Sequence, residues 1–114
     1  MADDIIYINA EEGAKRVMGN TKLYAKLLNK FKEDKSIQQM NAALSEGNLE
    51  KARSAAHTLK GLAANLSLIE LFKQVAELEG QIKGGSVNNA QAALVKDVNE
   101  QTLKEVDKVI ARYA

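Results

Sequence analysis

The chain has a single histidine, His57, and its near neighbours in sequence give it a chemistry. An imidazole with an unperturbed pKa of about 6.5 is largely a free nitrogen nucleophile near neutral pH. Lys60, at i+3, puts an ammonium one helical turn away. There, like-charge repulsion should favour the neutral ring, and an anion attached to that ring would find a counter-charge. Gly61, at i+4, removes a side chain from the same surface, and Ala64 keeps the next turn low. A glycine inside a helix costs about 1 kcal/mol relative to alanine, and nothing here signals a helix end. The group reads as an exposed nucleophile with a charge partner and a cleared approach.

The element that must position it is helical. Plotted at about 100° per residue, Leu49, Ala52, Ala56, Leu59, Ala63 and Leu66 form one apolar stripe. This predicts an amphipathic helix over about 48–66, opened by Gly47-Asn48 with Asn48 as N-cap. His57 lies roughly 130° from the middle of that stripe, so it faces water or a partner, beside Glu50, Arg53, Lys60, Gly61 and Ala64. Each residue alone has a plainer explanation: a surface histidine, a solvated lysine, a glycine for close helix packing. Gly61 points away from the stripe, however, and the combination favours a functional histidine.

His57-Thr58-Leu59-Lys60-Gly61, followed by Ala64-Asn65-Leu66, resembles the signature of histidine-containing phosphotransfer (HPt) domains of multistep phosphorelays. Ile8-Asn9, Gly13, Gly19-Asn20, Leu23-Tyr24, Leu27-Leu28 and Phe31 are similar to that family's opening pattern. Gly47-Asn48-Leu49 and Leu78-Glu79 fit it too, so the resemblance covers most of the chain. Ser67 departs from it, standing where the family usually has Gly.

The resemblance implies a phosphoryl carrier rather than an enzyme. His57 would accept a phosphoryl group from the aspartate of one response-regulator receiver domain, on Nε2, and pass it to the aspartate of another. Phosphoryl transfer is mostly positioning plus charge stabilisation, and the chain lacks a Walker loop, a Gly-rich nucleotide loop and a recognisable cluster of acidic Mg²⁺ ligands. No cofactor is therefore expected in this chain; the receiver would supply Mg²⁺ and the acidic pocket. A hybrid sensor histidine kinase is a further candidate partner. The docking face is expected around Gly61 and Ala64, with Arg53, Phe72, Glu79 and Lys83 as additional candidates. In HPt domains a polar residue at the Glu79 position tends to lie near the active histidine; an ordinary solvated flank would look the same in sequence.

Length and composition set the bounds. With 114 residues the chain is expected to form one domain, 1–114, with a self-sufficient core. A formal charge of +1 gives no case for nucleic acid or a membrane surface. Zero cysteines exclude disulfides and thiolate metal sites, and one histidine argues against a histidine-based metal site. No apolar run approaches a membrane span, and MADDIIYINA lacks a basic n-region and an h-region. A cytoplasmic monomer is expected, and the starting Met favours a free protein over an excised domain.

The rest of the chain reads as an all-α, antiparallel four-helix bundle with an additional short N-terminal helix. Residues 1–8, with Ile5, Ile6, Tyr7 and Ile8, should lie against one end of the core. Asn9 with Glu12 suggests a capped start to a short helix that ends at Gly19-Asn20. A stripe of Leu23, Tyr24, Leu27, Leu28 and Phe31 falls out of phase with Ile37, Met40 and Leu44. A break near Asp34–Ser36 is therefore predicted, with Ser36 and Gln39 as a fresh capping box. Ser67 and Glu70 read as another box, opening a helix that buries Leu68, Leu71, Val75, Leu78 and Ile82. Gly84-Gly85-Ser86 is a stop, and a last helix from about Asn88 to Tyr113 carries Leu94, Val98, Leu103, Val106 and Ile110.

Three rival functions belong to other classes. A sensor-kinase dimerisation helix would show H-E-x-x-[TN]-P, which is absent. A nucleic-acid-binding bundle would want a basic stripe. A non-catalytic adaptor bundle with an inert surface histidine fits the pattern but leaves Gly61 unexplained.

Overall fold

Asparagine opens four of the helices. Asn9, Asn20 and Asn48 each accept, through Oδ1, the backbone N–H three residues on, at 3.1, 2.9 and 3.0 Å, and Asn88 accepts that of Ala90 at 2.8 Å. Each bond satisfies an N–H that the helix itself leaves without a partner. In the computed structural model, which describes residues 5–114, they start α1 (Ala10–Lys15), α2 (Thr21–Glu33), α4 (Leu49–Asn65) and α6 (Asn89–Tyr113). Residues 1–4 of the expected N-terminal segment lie outside the described residues.

The two serine-based starts are corrected. At α3 (Ser36–Ser45) the cap position is held by Lys35, without a side-chain bond. The Ser36 N–H is taken by the Asp34 carboxylate at 2.8 Å, so the aspartate before the break does the work assigned to Ser36 and Gln39. At α5 (Ile69–Gly84) Leu68 stands at the cap, again without a side-chain bond. Ser67 instead closes α4. It has φ +57°, and the N–H of Leu68 returns to the Ala63 carbonyl at 2.9 Å, the helix-ending turn that glycine favours. That is the physical reason a Gly suits this position. The Ser67 hydroxyl donates to Glu12 Oε1 at 2.8 Å, and so Glu12 is spent on Ser67 rather than on a reciprocal cap at Asn9.

The broken pair α2 and α3 acts as one side of a bundle. α3 packs on α4, α4 on α5, α5 on α6, and α6 back on α2, with α1 lying on α2 at one end. Residues 46–48, 66–68 and 85–88 make the connections from α3 to α6, short enough to force successive helices to double back. The core runs the length of the bundle through Tyr24, Leu28, Met40, Leu59, Leu71, Val75, Leu78, Val95 and Val106. Two expected core leucines are at the surface: Leu23 in the first turn of α2 and Leu94 on α6. On α6 the buried line passes through Val95, Val98, Thr102, Val106 and Val109, with Leu103 and Ile110 on its shoulders. The +3/+4 rhythm was present but runs through valines. Tyr7 and Ile8 pack on the core as expected, whereas Ile5 and Ile6 are exposed.

One contact fixes the α1 end. Tyr24 is fully buried and its hydroxyl donates to the Leu66 carbonyl at 2.6 Å. Burial, with Tyr113 and Glu12 nearby, pushes the phenol well above its usual range, so it stays a donor. A Cβ on Gly13 would lie 2.3 Å from the Tyr24 Cζ; only glycine lets α1 come this close. Among the described residues no helix is long and apolar enough to cross a membrane.

Candidate functional site

α4 buries Ala52, Ala55, Ala56, Leu59 and Ala63, which turns the opposite side of the helix outward. His57 projects from that side with 72% of its side chain exposed. Nothing within 4 Å would meet a Cβ on Gly61, so the glycine does not serve packing. Open space alone does not single it out, because Gly80 on α5 is equally open; its place one turn from the imidazole does.

The packing of α5 against α4 brings a carboxylate to the ring. Glu79, 22 residues away in sequence, has Oε2 3.2 Å from His57 Nδ1. Its Oε1 lies 2.6 Å from Lys60 Nζ, and Lys83 Nζ is 3.8 Å from Oε2. Glu79 is 2% exposed. Burial pushes its carboxyl up. Hydrogen bonds from Lys60 and His57 and the charges of Lys60 and Lys83 outweigh that and hold it below the usual value. It is a buried anion held by cations.

This has a consequence for the ring. A carboxylate only accepts, so Nδ1 carries the hydrogen, and in the neutral imidazole the lone pair is then on Nε2. The exposed ring, fixed at one nitrogen, presents the other.

The remaining expected residues divide. Lys60, Glu79 and Lys83 gather at His57. Ala64 and Phe72 meet in a small cleft of about 190 Å³ between α4 and α5, beside Ile69, and Phe72 is exposed. Arg53 is exposed one turn before His57 on α4 and belongs to neither group. Sequence reasoning missed a larger cleft of about 550 Å³ on the other flank of α4, floored by Val17, Leu27, Phe31, Leu62 and Leu66 and edged by Arg16 and Lys30. No sequence signal marked it, because its walls come from α2, α4 and the turn after α1, and α4 is far from the other two in the chain.

Comparison with known proteins agrees with this geometry. The family model of the Hpt domain matches residues 26–112, most of the chain and the whole of α3 to α5. Searches of curated proteins and of solved structures returned no match. The histidine signature, the all-helical bundle around it and the match over residues 26–112 together show that this chain belongs to the Hpt domain family, the histidine phosphotransfer modules of phosphorelays.

Proposed function

We propose that His57 is the phosphoryl-accepting residue, taking the group on Nε2 from the aspartate of a receiver domain and handing it to the aspartate of another. The observation that carries this reading is the Glu79 contact at Nδ1 on a ring that is otherwise open to solvent. As Nε2 attacks phosphorus, the N–P bond forms and the P–O bond to the aspartyl carboxyl breaks. The aspartate leaves with the electron pair, and the imidazole becomes cationic because Nδ1 still holds its hydrogen. Glu79 faces that hydrogen and stabilises the charge, as the buried aspartate of a catalytic triad does for its histidine.

The open surface at Gly61 admits the edge of the receiver's pocket, and Ala64 continues it. Lys60 supplies charge to the transferred group. The receiver contributes its acidic pocket with Mg²⁺, so this chain works as a carrier and the chemistry is completed across the two proteins. The test is incubation with phosphorylated receiver domains. The parent should acquire acid-labile, base-stable label, and His57→Gln should fold normally and acquire none. Label on the folded Gln variant would place the phosphoryl group elsewhere.

A further inference from the structure

Glu79 is met by three nitrogen groups, and they are not equivalent. Lys60 Nζ sits at 2.6 Å on Oε1, with its side chain 28% exposed. His57 Nδ1 sits at 3.2 Å on Oε2. Lys83 Nζ, 55% exposed, stands 3.8 Å from the same Oε2, beyond hydrogen-bond distance. It is i+4 from Glu79 on α5, the spacing at which a lysine reaches a glutamate by side-chain rotation alone. One lysine is bound and one is waiting.

A phosphoryl group on Nε2 changes the demand on Lys60. The group brings roughly two negative charges to the surface where Lys60 originates. The cationic ring keeps its hold on Oε2, but Oε1, the oxygen that Lys60 would leave, belongs to a buried carboxylate and needs a donor in its place. Nε2 is the ring nitrogen turned away from Glu79, so an ammonium drawn fully to the phosphoryl oxygens leaves Oε1.

We propose that the two lysines exchange: when His57 carries the phosphoryl group, Lys60 turns from Glu79 to the phosphoryl oxygens and Lys83 closes onto Glu79 in its place. This rests on His57 being the phosphorylated residue. Lys83 is then a positioning residue of the phosphorylated state. It touches neither the ring nor the phosphoryl group, and it frees Lys60 by replacing it.

The experiment follows the Glu79 carboxyl by carbon NMR in the full chain, with and without phosphorylation by phosphoramidate. That donor forms the Nε2–P bond as its own P–N bond breaks and ammonia leaves. In the unphosphorylated domain, Lys60→Met should leave Glu79 titrating low, because Lys83 takes the vacated place. Lys60→Met with Lys83→Met should move the titration upward. The phosphorylated domain is read at alkaline pH, where the N–P bond survives: there Lys83→Met should displace the Glu79 carboxyl carbon signal from its place in the phosphorylated parent, and Lys83→Arg should restore it, an outcome that loss of packing would not produce. Lys60→Met raising the titration as far as the double variant overturns the exchange alone. So does a phosphorylated Lys83→Met domain whose Glu79 signal matches that of the phosphorylated parent. A parent that forms no phosphohistidine overturns the reading of His57 and the exchange with it.

Discussion

Two helical glycines, Gly13 on α1 and Gly61 on α4, are there for opposite reasons. At Gly13 a methyl group would collide with the buried Tyr24 ring at 2.3 Å; at Gly61 it would meet nothing within 4 Å. The first glycine lets one part of the chain approach another. The second costs helix stability without any return inside the fold, and on the function proposed above the return lies outside, at the histidine one turn away. A helical glycine that packing does not require points to function only in company, as Gly61 does one turn from His57. Glu79 is a related case on the polar side: the core has no use for a charge there, and the buried carboxylate is bonded to the ring.

Substitutions at these positions should separate the two kinds of site. The largest effect is expected at the interaction surface. Gly61→Gln should fold with a melting temperature near that of the parent, yet lose about a hundredfold in transfer from a receiver. An error of about 1 Å in the approach of the reacting groups is enough for that loss. Transfer at the parental rate would remove the steric reading of Gly61, and unfolding would make Gly61 a packing residue like Gly13.

Gly13→Ala should show the reverse pattern. The added carbon overpacks a ring already held by its hydrogen bond to Leu66, so denaturant unfolding should report a loss of about 2–3 kcal/mol. Gly61→Ala should gain up to about 1 kcal/mol. Equal effects at the two positions would erase the distinction between them.

Ser67 provides a finer comparison. Ser67→Ala keeps an unfavourable left-handed backbone and loses the bond to Glu12, costing about 1 kcal/mol. Ser67→Gly loses the same bond but relaxes the backbone, so it should be close to neutral in urea unfolding. A loss for Gly as large as that for Ala would show that the hydroxyl contributes more than the turn.

The smallest effect is a pH dependence. Because the folded domain holds the Glu79 carboxyl below its ordinary value of 4.5, the folded state binds this proton less readily than the unfolded state. The stability that Glu79 contributes is therefore fully present above about pH 4.5 and is lost as the pH falls through the depressed folded value. Glu79→Gln should flatten that part of the stability–pH profile; an unchanged slope would assign the loss to other carboxylates.

The sequence displayed whatever depends on one helix at a time. The α4 stripe, the cap at Asn48 and the exposure of His57 follow from residues within a few turns of one another. What depends on two helices meeting was reached only through the family resemblance, which named Glu79 near the histidine. Glu79 sits on a flank shared with Phe72 and Lys83, and a charged residue on a flank ordinarily points into water; only the packing of α5 on α4 buries it against His57 and Lys60. The serine starts failed for a different reason. Ser-x-x-Glu and Ser-x-x-Gln are legible patterns, but at Ser67 the backbone geometry of the preceding helix end decided the residue's job, and at Ser36 a neighbouring aspartate was better placed.

The most direct measurement exploits the fact that His57 is the sole histidine. A domain carrying ¹⁵N-labelled histidine has one imidazole to observe, before and after transfer from a phosphorylated receiver. The expected spectrum shows hydrogen on Nδ1 in the unmodified ring and coupling of Nε2 to phosphorus after transfer, with the Nδ1 hydrogen still directed at Glu79. Phosphorus coupling at Nδ1, or an imidazole spectrum unchanged by transfer, would contradict the assignment of Nε2 as the acceptor and of Glu79 as the group that leaves it free.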